Sequence, residues 1–576
     1  MQSRKRQLGL QPTLAASLSK STAFEADSMK VRKLNNLLVQ TICKDALPFN
    51  LLDSDSFKLF VNELEPRYRL PTRKAMSNDL IPSTYDTVKQ SVMKTLQEAG
   101  AVALTTDAWT SVSNEAFIGV TAHYLLDDFT YADRCLTVKH APGSHTAEAL
   151  CKHLEDVCSE WSIKRSNLLP LYVVTDNGAN VKKAVSFITH AKWVPCFAHT
   201  LQLVINKVLL LPEVAEVQEL LQAARAIVGH FRRSPMACKK LEQAQDQLGV
   251  GKKRLIQDCS TRWNSQVLML ERLIEQKSAV SLVLSSVSGV RNLDGDQWKA
   301  AQHLVDALQP FLDVTTIVSA TRYPTLSMVI PLLDGIVDVL KEEENYECIP
   351  CLRTALINEL GERFNHITSG GEIYFVATAV DPRYKLIPFA DDTVAMQAKN
   401  FVLLAMDRAV ARKLPQQQDI AARTTPADEL LQSTSSQSQT SSQPDNMELA
   451  LGCQPAEAPE KKKSIWQKFD RQVVHHLDNV EQHNGTVERR EHHRMELDMY
   501  LTEHVIARSS CPFKWWNENR SRFPVLADVA REFLSIPGTS VPSERLFSKA
   551  GDVIRKKRSS LKPMKANQTI FLMENM

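Results

Sequence analysis

The spacing of the apolar residues changes near residue 100, and this change limits the folds open to the chain. Before that point apolar side chains recur at helical spacing, whereas within residues 116–126 every second residue is apolar, as on one face of a strand. The pattern predicts three strands, then helix, strand, helix, strand and helix, at residues 101–106, 116–126, 133–140, 145–163, 168–176, 181–188, 193–196 and 198–211. Three leading strands before alternating units predict an α/β fold with a mixed sheet and helices on its faces.

The rest of the chain is predicted to be largely helical, apart from one extended-looking stretch and one segment of low apolar content. Residues 372–385 are the one extended-looking stretch after the sheet. The segment around QSTSSQSQTSSQ has too few apolar side chains to fold alone. The predicted division is a disordered leader, an N-terminal helical region, the first part of the core, a helical insertion, a low-complexity linker and a C-terminal region, at residues 1–27, 28–98, 99–211, 212–413, 414–464 and 465–576.

Length and charge narrow the class of protein. A chain of 576 residues is too long for one ordinary domain. Its 69 basic and 66 acidic side chains give a net charge of +3, so any contact with a polyanion must come from local patches. No apolar run is long enough to span a bilayer, and we expect no membrane partner.

Three acidic residues stand in separate motif-like settings: Asp107 in LTTDAWTS, Asp176 in VVTDNGAN and Glu544 in VPSERLFS. Metal-dependent phosphoryl transfer needs several hard oxygen ligands on divalent metal, which these could supply. Asp107 ends the first strand and Asp176 the fourth, so both carboxylates can reach one site if those strands are neighbours. The alternative is that the aspartates form turns and caps, and that Glu544 interacts with a helix dipole.

Several motifs in a fixed order carry a resemblance to a known family. They are TTDAWTS, VTDNGANVKKA, CFAHTLQLVINKVL, CSTRWNS, VDPRYK and WWNENRSRFPVLADVAREFLSIPGTSVPSERLFSKAGDVIRKKRSSL. Together they resemble the hAT superfamily of cut-and-paste DNA transposases, and in particular the domesticated BED zinc-finger proteins derived from them. The resemblance implies an RNase H-like core interrupted by a large all-helical insertion, with a C-terminal region that completes the core and dimerises.

The resemblance also implies a chemistry for the three acids. Asp107, Asp176 and Glu544 match the family's catalytic triad, which holds Mg²⁺ or Mn²⁺. Two metals would activate a water or a 3′-hydroxyl for in-line displacement at phosphorus. Whether this chain is an active enzyme is left open by its sequence.

Five further residues match motif positions of the family, and among them the Arg262–Trp263 pair matches one that contacts the DNA end in active relatives. Trp109 and the Arg262–Trp263 pair could stack on an unpaired base, or could pack and cap within the protein. Cys196 and His199 match a C-x-x-H motif. No second ligand pair stands nearby, so we predict a structural role or a place along the DNA path, and no structural zinc.

The C-terminal region is expected to form a homodimer or higher oligomer. Phe533, Leu534, Leu546 and Phe547 would supply an apolar interface, or would pack the protein's own core. No two-cysteine, two-histidine cluster precedes the helical region, so we expect no BED finger to direct sequence-specific binding.

The sequence therefore favours a nuclear, DNA-associated, dimeric protein of transposase origin with a regulatory role. An active cut-and-paste transposase is the alternative, because the triad is intact. A SUMO-ligase-like scaffold, as in some relatives, is a further alternative to which no residues can be assigned.

Overall fold

The structure, a computed structural model, describes most of the chain outside its first residues and the stretch between 413 and 490. The described residues are 23–110, 115–141, 143, 145–259, 263–287, 289–320, 325–341, 349–368, 371–389, 391–413, 490–554 and 563–576. Most of the predicted leader (1–27) and all of the predicted linker (414–464) lie outside these residues.

The N-terminal region is helical, as predicted. Its helices α1, α2 and α3 span Met29–Lys44, Asp55–Leu64 and Ile81–Glu98. Ser28 begins α1 because its side chain accepts a hydrogen bond from the Val31 amide, which satisfies one of the free N–H groups of the first turn.

A five-stranded mixed sheet follows, with the predicted order of elements. Strands β1 to β5 span Val102–Thr110, Ala116–Leu125, Tyr131–His140, Leu171–Thr175 and Ala191–Pro195. Their order in the sheet is β3-β2-β1-β4-β5. The pairs β1–β2 and β2–β3 are antiparallel, whereas β1–β4 and β4–β5 are parallel. Strands β1 and β4 are therefore neighbours, which a site shared by Asp107 and Asp176 requires.

Three helices alternate with the later strands. Helices α4, α5 and α6 span Ala147–Glu160, Ala179–Phe187 and Phe197–Val208. Thr146 caps α4 by accepting a hydrogen bond from the Ala149 amide.

The segment after α6 is an all-helical insertion. Helices α7 to α15 span Ala215–Arg233, Pro235–Leu248, Trp263–Glu275, Lys277–Leu284, Gly295–Ala320, Val329–Lys341, Pro350–Thr368, Glu372–Ala379 and Asp392–Lys413.

The prediction of an extended stretch at 372–385 was wrong. Residues Glu372–Ala379 form helix α14, and a series of turns follows. Every side chain from Tyr374 to Ala379 is buried. A helix that is buried on all sides shows a continuous apolar run, which periodicity alone cannot distinguish from a buried strand.

After residue 490 the chain forms helices that pack back onto the sheet. Helix α16 spans residues 490–502, and α17 to α20 span Pro512–Asn519, Pro524–Phe533, Val541–Ile554 and Pro563–Asn575. Among the helices in the described part of the chain, none has the length and apolarity to cross a bilayer.

Two large cores cover the two faces of the sheet. On one face, Leu104, Val120 and Val173 pack with α1, α3, α4 and the final helix α20. On the other face, Ala103 and Val174 join a core that continues through the insertion and into α18. The sheet is thus buried on both faces, and residues from both ends of the chain take part.

Phe571 of α20 gives a test of this arrangement. Its side chain is fully buried, and its ring lies 4.7 Å from that of Tyr85 and 5.9 Å from that of Trp161, measured between centroids. We expect Phe571→Ala to lower the free energy of unfolding by about 3–5 kcal/mol because it leaves a cavity. Met564→Ala, on the exposed side of the same helix, should change it by less than about 0.5 kcal/mol. Chemical denaturation measures both, and equal effects would contradict this packing.

Candidate active site

Asp107 and Asp176 come together just beyond the point where the parallel pairing of β1 and β4 ends. The prediction that Asp107 ends the first strand was wrong, because β1 continues to Thr110 by pairing with β2. Thr105 of β1 pairs with Val174 of β4, and each aspartate lies two residues further along its own chain segment. The Asp107 carboxylate accepts a hydrogen bond of 2.7 Å from the Ala108 amide. The Asp176 carboxylate accepts one of 3.1 Å from the Gly178 amide, at the start of α5.

The two aspartates line one cavity of about 180 Å³. His145 and Asn180 also line it, and the Asn180 side chain donates a 3.0 Å hydrogen bond to the His145 carbonyl. The buried His145 Nε2 atom has no hydrogen-bond partner among the described residues. Sequence reasoning missed His145 and Asn180, because neither stands in a pattern that separates it from an ordinary residue at a helix start.

Glu544 reaches the same region from the far end of the chain. It lies in the first turn of α19, and that helix packs on β1 and β2. Burial, together with the charges of Asp176 and Glu544, raises the pKa of Asp107 to about 7, although its hydrogen bond from the Ala108 amide acts in the opposite direction. The three carboxylates are therefore near enough for their charges to interact.

A buried chain of hydrogen bonds holds α19 against the sheet. Ser543, next to Glu544, lies with its hydroxyl 2.5 Å from that of Thr105, which lies 2.5 Å from that of Thr121. The chain continues from Thr121 to His123 Nε2 at 2.8 Å, and from His123 Nδ1 to the Tyr131 hydroxyl at 2.9 Å. It links the element that carries Glu544 to the strand that carries Asp107. Sequence reasoning missed these residues too, since isolated threonines in a strand carry no signal.

Burial favours the neutral form of His123, the residue in the middle of this series of hydrogen bonds. His123 is fully buried, and burial lowers its pKa, although the charge of Asp133 acts in the opposite direction. A neutral imidazole donates from one nitrogen and accepts at the other, which matches its two hydroxyl partners.

The donor set suits a divalent metal. Carboxylate oxygens are the ligands that Mg²⁺ and Mn²⁺ prefer, and a cation would reduce the repulsion that raises the pKa of Asp107. Within the described ranges, no three His, Cys, Asp or Glu side chains already form a closed ligand cluster.

The tryptophans predicted to contact DNA have packing partners within the chain. The Trp109 ring stacks on Phe547 and Phe117, with centroids 4.0 Å and 5.2 Å away. Trp263 is 4% exposed and packs edge-on against Phe311. Arg262 lies outside the described residues. These contacts agree with the alternative that both tryptophans pack within the protein. Stacking of either tryptophan on an unpaired base stays a prediction.

The C-x-x-H pair joins the core to the C-terminal region. The Cys196 sulfur is buried and accepts a hydrogen bond of 3.3 Å from the Ser540 amide, and burial raises the pKa of its thiol. His199 lies one turn into α6 and is half-buried. Cys196 thus has a structural partner, and contact of either residue with DNA stays a prediction.

The four residues predicted at a dimer interface pack within this chain. Phe533 and Leu534 are fully buried in the core shared with the insertion. Leu546 and Phe547 pack onto β2 at Gly119, where an added Cβ would lie 3.1 Å and 3.0 Å from their side chains. This packing is the alternative that the sequence left open, and a role of these residues in a dimer stays a prediction.

Comparison with known proteins confirms the resemblance. The chain matches the ZBED1 RNase-like domain over residues 105–192, the ZBED1 RNase-like helical domain over 194–307, and the hAT family C-terminal dimerisation region over 496–576. The first two matches cover the sheet and part of the insertion, and the third covers the helices that return to the sheet.

Three relatives match most of the chain. "Zinc finger BED domain-containing protein 4" from Homo sapiens is 28% identical over 90% of the chain and 41% of its own length. "Putative AC transposase" from Zea mays is 26% identical over 89% of the chain and 61% of its own length. "Putative transcriptional regulator tpeD" from Talaromyces stipitatus is 23% identical over 93% and 61%. The chain thus spans less than two thirds of the length of each.

The hydroxyl chain can be tested at Thr105. Thr105→Val keeps the shape but leaves the buried hydroxyls of Ser543 and Thr121 without this partner, so we expect the free energy of unfolding to fall by about 1–3 kcal/mol. Thr105→Ser keeps the hydroxyl and should cost about 1 kcal/mol or less. Urea denaturation compares the variants, and a valine variant as stable as the serine variant would exclude this role.

The pKa of Asp107 predicts a pH dependence of stability. Because folding raises this pKa from 3.8 to about 7, its contribution is fully present below about pH 4 and is lost as the pH rises through 7. Asp107→Asn keeps the site neutral, so in EDTA the variant should be more stable than the parent at pH 8, by about 1–3 kcal/mol, but not at pH 4. Unfolding free energies at the two pH values measure this. A difference between the two proteins that does not change with pH would contradict it.

Proposed function

We propose that this hAT-related chain acts on DNA in the nucleus as a dimer, and that its three carboxylates support metal-dependent cleavage of a phosphodiester bond. The supporting observation is that Asp107 and Asp176 line one cavity, and that Glu544 lies in the first turn of a helix packed on the same strands. Burial first, and then the charges of Asp176 and Glu544, raise the pKa of Asp107. Like charges held close together destabilise a protein unless a cation binds them.

Each of the three acidic residues would supply oxygen ligands to the metal. Asp107 and Asp176 would hold Mg²⁺ or Mn²⁺ just beyond the paired part of β1 and β4, and Glu544 would add its carboxylate from α19. The metal, when bound, supplies Lewis-acid activation of the attacking and leaving oxygens. His145 lies in the same cavity, and its buried Nε2 could accept or donate a proton to a water there.

The proposal of a dimer rests on the C-terminal match and not on the four apolar residues, which pack within this chain. The region over 496–576 corresponds to a dimerisation region in the hAT family. The nuclear location rests on the kind of relatives that the chain has. The basic cluster RKKR at residues 555–558, a candidate import signal, lies outside the described residues.

A regulatory DNA-associated protein without cleavage is the second candidate. It is favoured by the names of two relatives, a BED zinc-finger protein and a transcriptional regulator. Both candidates share DNA association and dimerisation, so they differ only in whether the carboxylate site acts on a bound strand.

Cleavage is tested with the purified chain, Mn²⁺ and duplex DNA that ends in short inverted repeats. We expect nicks or hairpin ends from the parent. The cleavage rate should fall by at least about 100-fold in Asp107→Asn, Asp176→Asn and Glu544→Gln. Glu518→Gln, on an exposed part of α17, is the control that should cleave normally. Light scattering on the same sample should give about twice the chain mass of 64.8 kDa.

The outcomes separate the two candidates. DNA binding by an intact dimer without cleavage would favour the regulatory role. Unchanged cleavage in all three carboxylate variants would overturn the site, since another group would then perform the chemistry.

A further inference from the structure

A cleft of about 810 Å³ lies in the helical insertion, away from the carboxylates. It is bounded by the end of α7, one side of α8 and the irregular segment after α8. Its lining contains one carboxylate, from Glu242, and five cationic side chains, those of Arg232, Lys239, Lys252, Lys253 and Arg254. In a chain with a net charge of only +3, this is a local concentration of positive charge.

Three of these cations belong to a segment, residues 251–254 (GKKR), that we call the basic strip. Buried side chains fix its backbone. Gln245 donates a 2.8 Å hydrogen bond to the Lys253 carbonyl, and Gln276 donates one of 3.3 Å to the Gly251 carbonyl. Both glutamines are 1% exposed, and Gln245 also donates to the Gln276 side chain at 2.8 Å.

A third donor fixes the end of the basic strip. The Arg272 guanidinium donates a 2.8 Å hydrogen bond to the Arg254 carbonyl. A segment without regular secondary structure is thus held at three carbonyls, and its cationic side chains are presented to the cleft without further ordering of the backbone. A fixed backbone lowers the entropy cost of binding a partner.

The cations differ in how far they are already neutralised. Lys252 pairs with Asp246 at 2.8 Å, and Lys253 pairs with Glu275. The exposed Arg232, Lys239 and Arg254 form no ion pair with any residue that the structure describes. These three are therefore available to an anionic partner.

The first turn of α8 opens into the same cleft. Ser234 caps this 14-residue helix by accepting from the Ala237 amide at 3.1 Å, and both Ser234 and Pro235 line the cleft. The positive end of the helix dipole therefore adds to the field of the side chains.

We propose that this cleft binds the phosphate backbone of duplex DNA beside the segment that the carboxylate site acts on. The inference rests on the proposed function for the choice of DNA as the polyanion. Phe231 is the one aromatic side chain among the described lining residues, and it is buried, so the cleft offers no surface on which an unpaired base could stack. Phosphate contacts need only cations and amides, which the cleft provides.

The test removes three charges from the cleft and three from elsewhere. The cleft variant carries Arg232→Gln, Lys239→Gln and Arg254→Gln. The matched control carries Lys94→Gln, Lys299→Gln and Lys514→Gln, at side chains that are 78%, 71% and 78% exposed. Fluorescence anisotropy with a labelled duplex is recorded over a salt series, and thermal melting verifies that both variants fold.

We expect the cleft variant to bind the duplex at least about 10-fold more weakly than the parent. The plot of the logarithm of the binding constant against the logarithm of the salt concentration has a negative slope. Its magnitude should be smaller by between about 2 and 3, because each lost phosphate contact removes about 0.9. The control variant should keep the parental slope. Manganese-dependent cleavage by the cleft variant should recover at low salt, since the carboxylates are unchanged.

Failure of this inference can be distinguished from failure of the proposed function. If the parent binds the duplex with the expected slopes but does not cleave, the cleft stands and the cleavage proposal falls. If the magnitude of the salt-dependence slope decreases equally in both variants, or if an acidic peptide but not DNA competes for the cleft, the cleft is not a duplex-binding site. An absence of DNA binding by the parent would also overturn it.

Discussion

The docking of α19 on the sheet is the contact on which the candidate site depends. Helix α19 begins at Val541, and within its first two turns it places Ser543 against Thr105, and Leu546 and Phe547 against Gly119. The polar contact is buried and the apolar contact leaves room for no side chain at residue 119. Both together bring Glu544 close enough to affect the pKa of Asp107.

The helical insertion and the C-terminal region share one core, which explains how so distant a segment returns to the sheet. The buried Lys385 donates from its Nζ to the Tyr500 carbonyl at 2.6 Å, and the Trp516 indole donates to the Val380 carbonyl at 2.9 Å. Arg412 pairs with the buried Glu532, near the Tyr172 hydroxyl of β4. The insertion thus helps to hold the C-terminal helices against the sheet.

The sequence predicted the local elements better than the partners of individual side chains. The order of strands and helices follows from the spacing of apolar residues, which acts over a few residues. The same reasoning misjudged residues 372–385, because a buried helix and a buried strand show the same apolar run. It could not decide whether Trp109 meets a base or Phe547, since that choice depends on a helix more than four hundred residues later.

What the sequence by itself determined is the order of the strands and helices of the core and the acidic character of Asp107, Asp176 and Glu544. These depend on local apolar spacing and on residue type. Only the tertiary structure decided that β1 lies beside β4 and that α19 lies over them. It also decided that Phe533, Leu534 and Leu546 are buried in the chain's own core, and that two buried glutamines hold a basic strip open to a partner. Such contacts join segments that are far apart in sequence, and no local pattern encodes which of the many possible partners a buried side chain will meet.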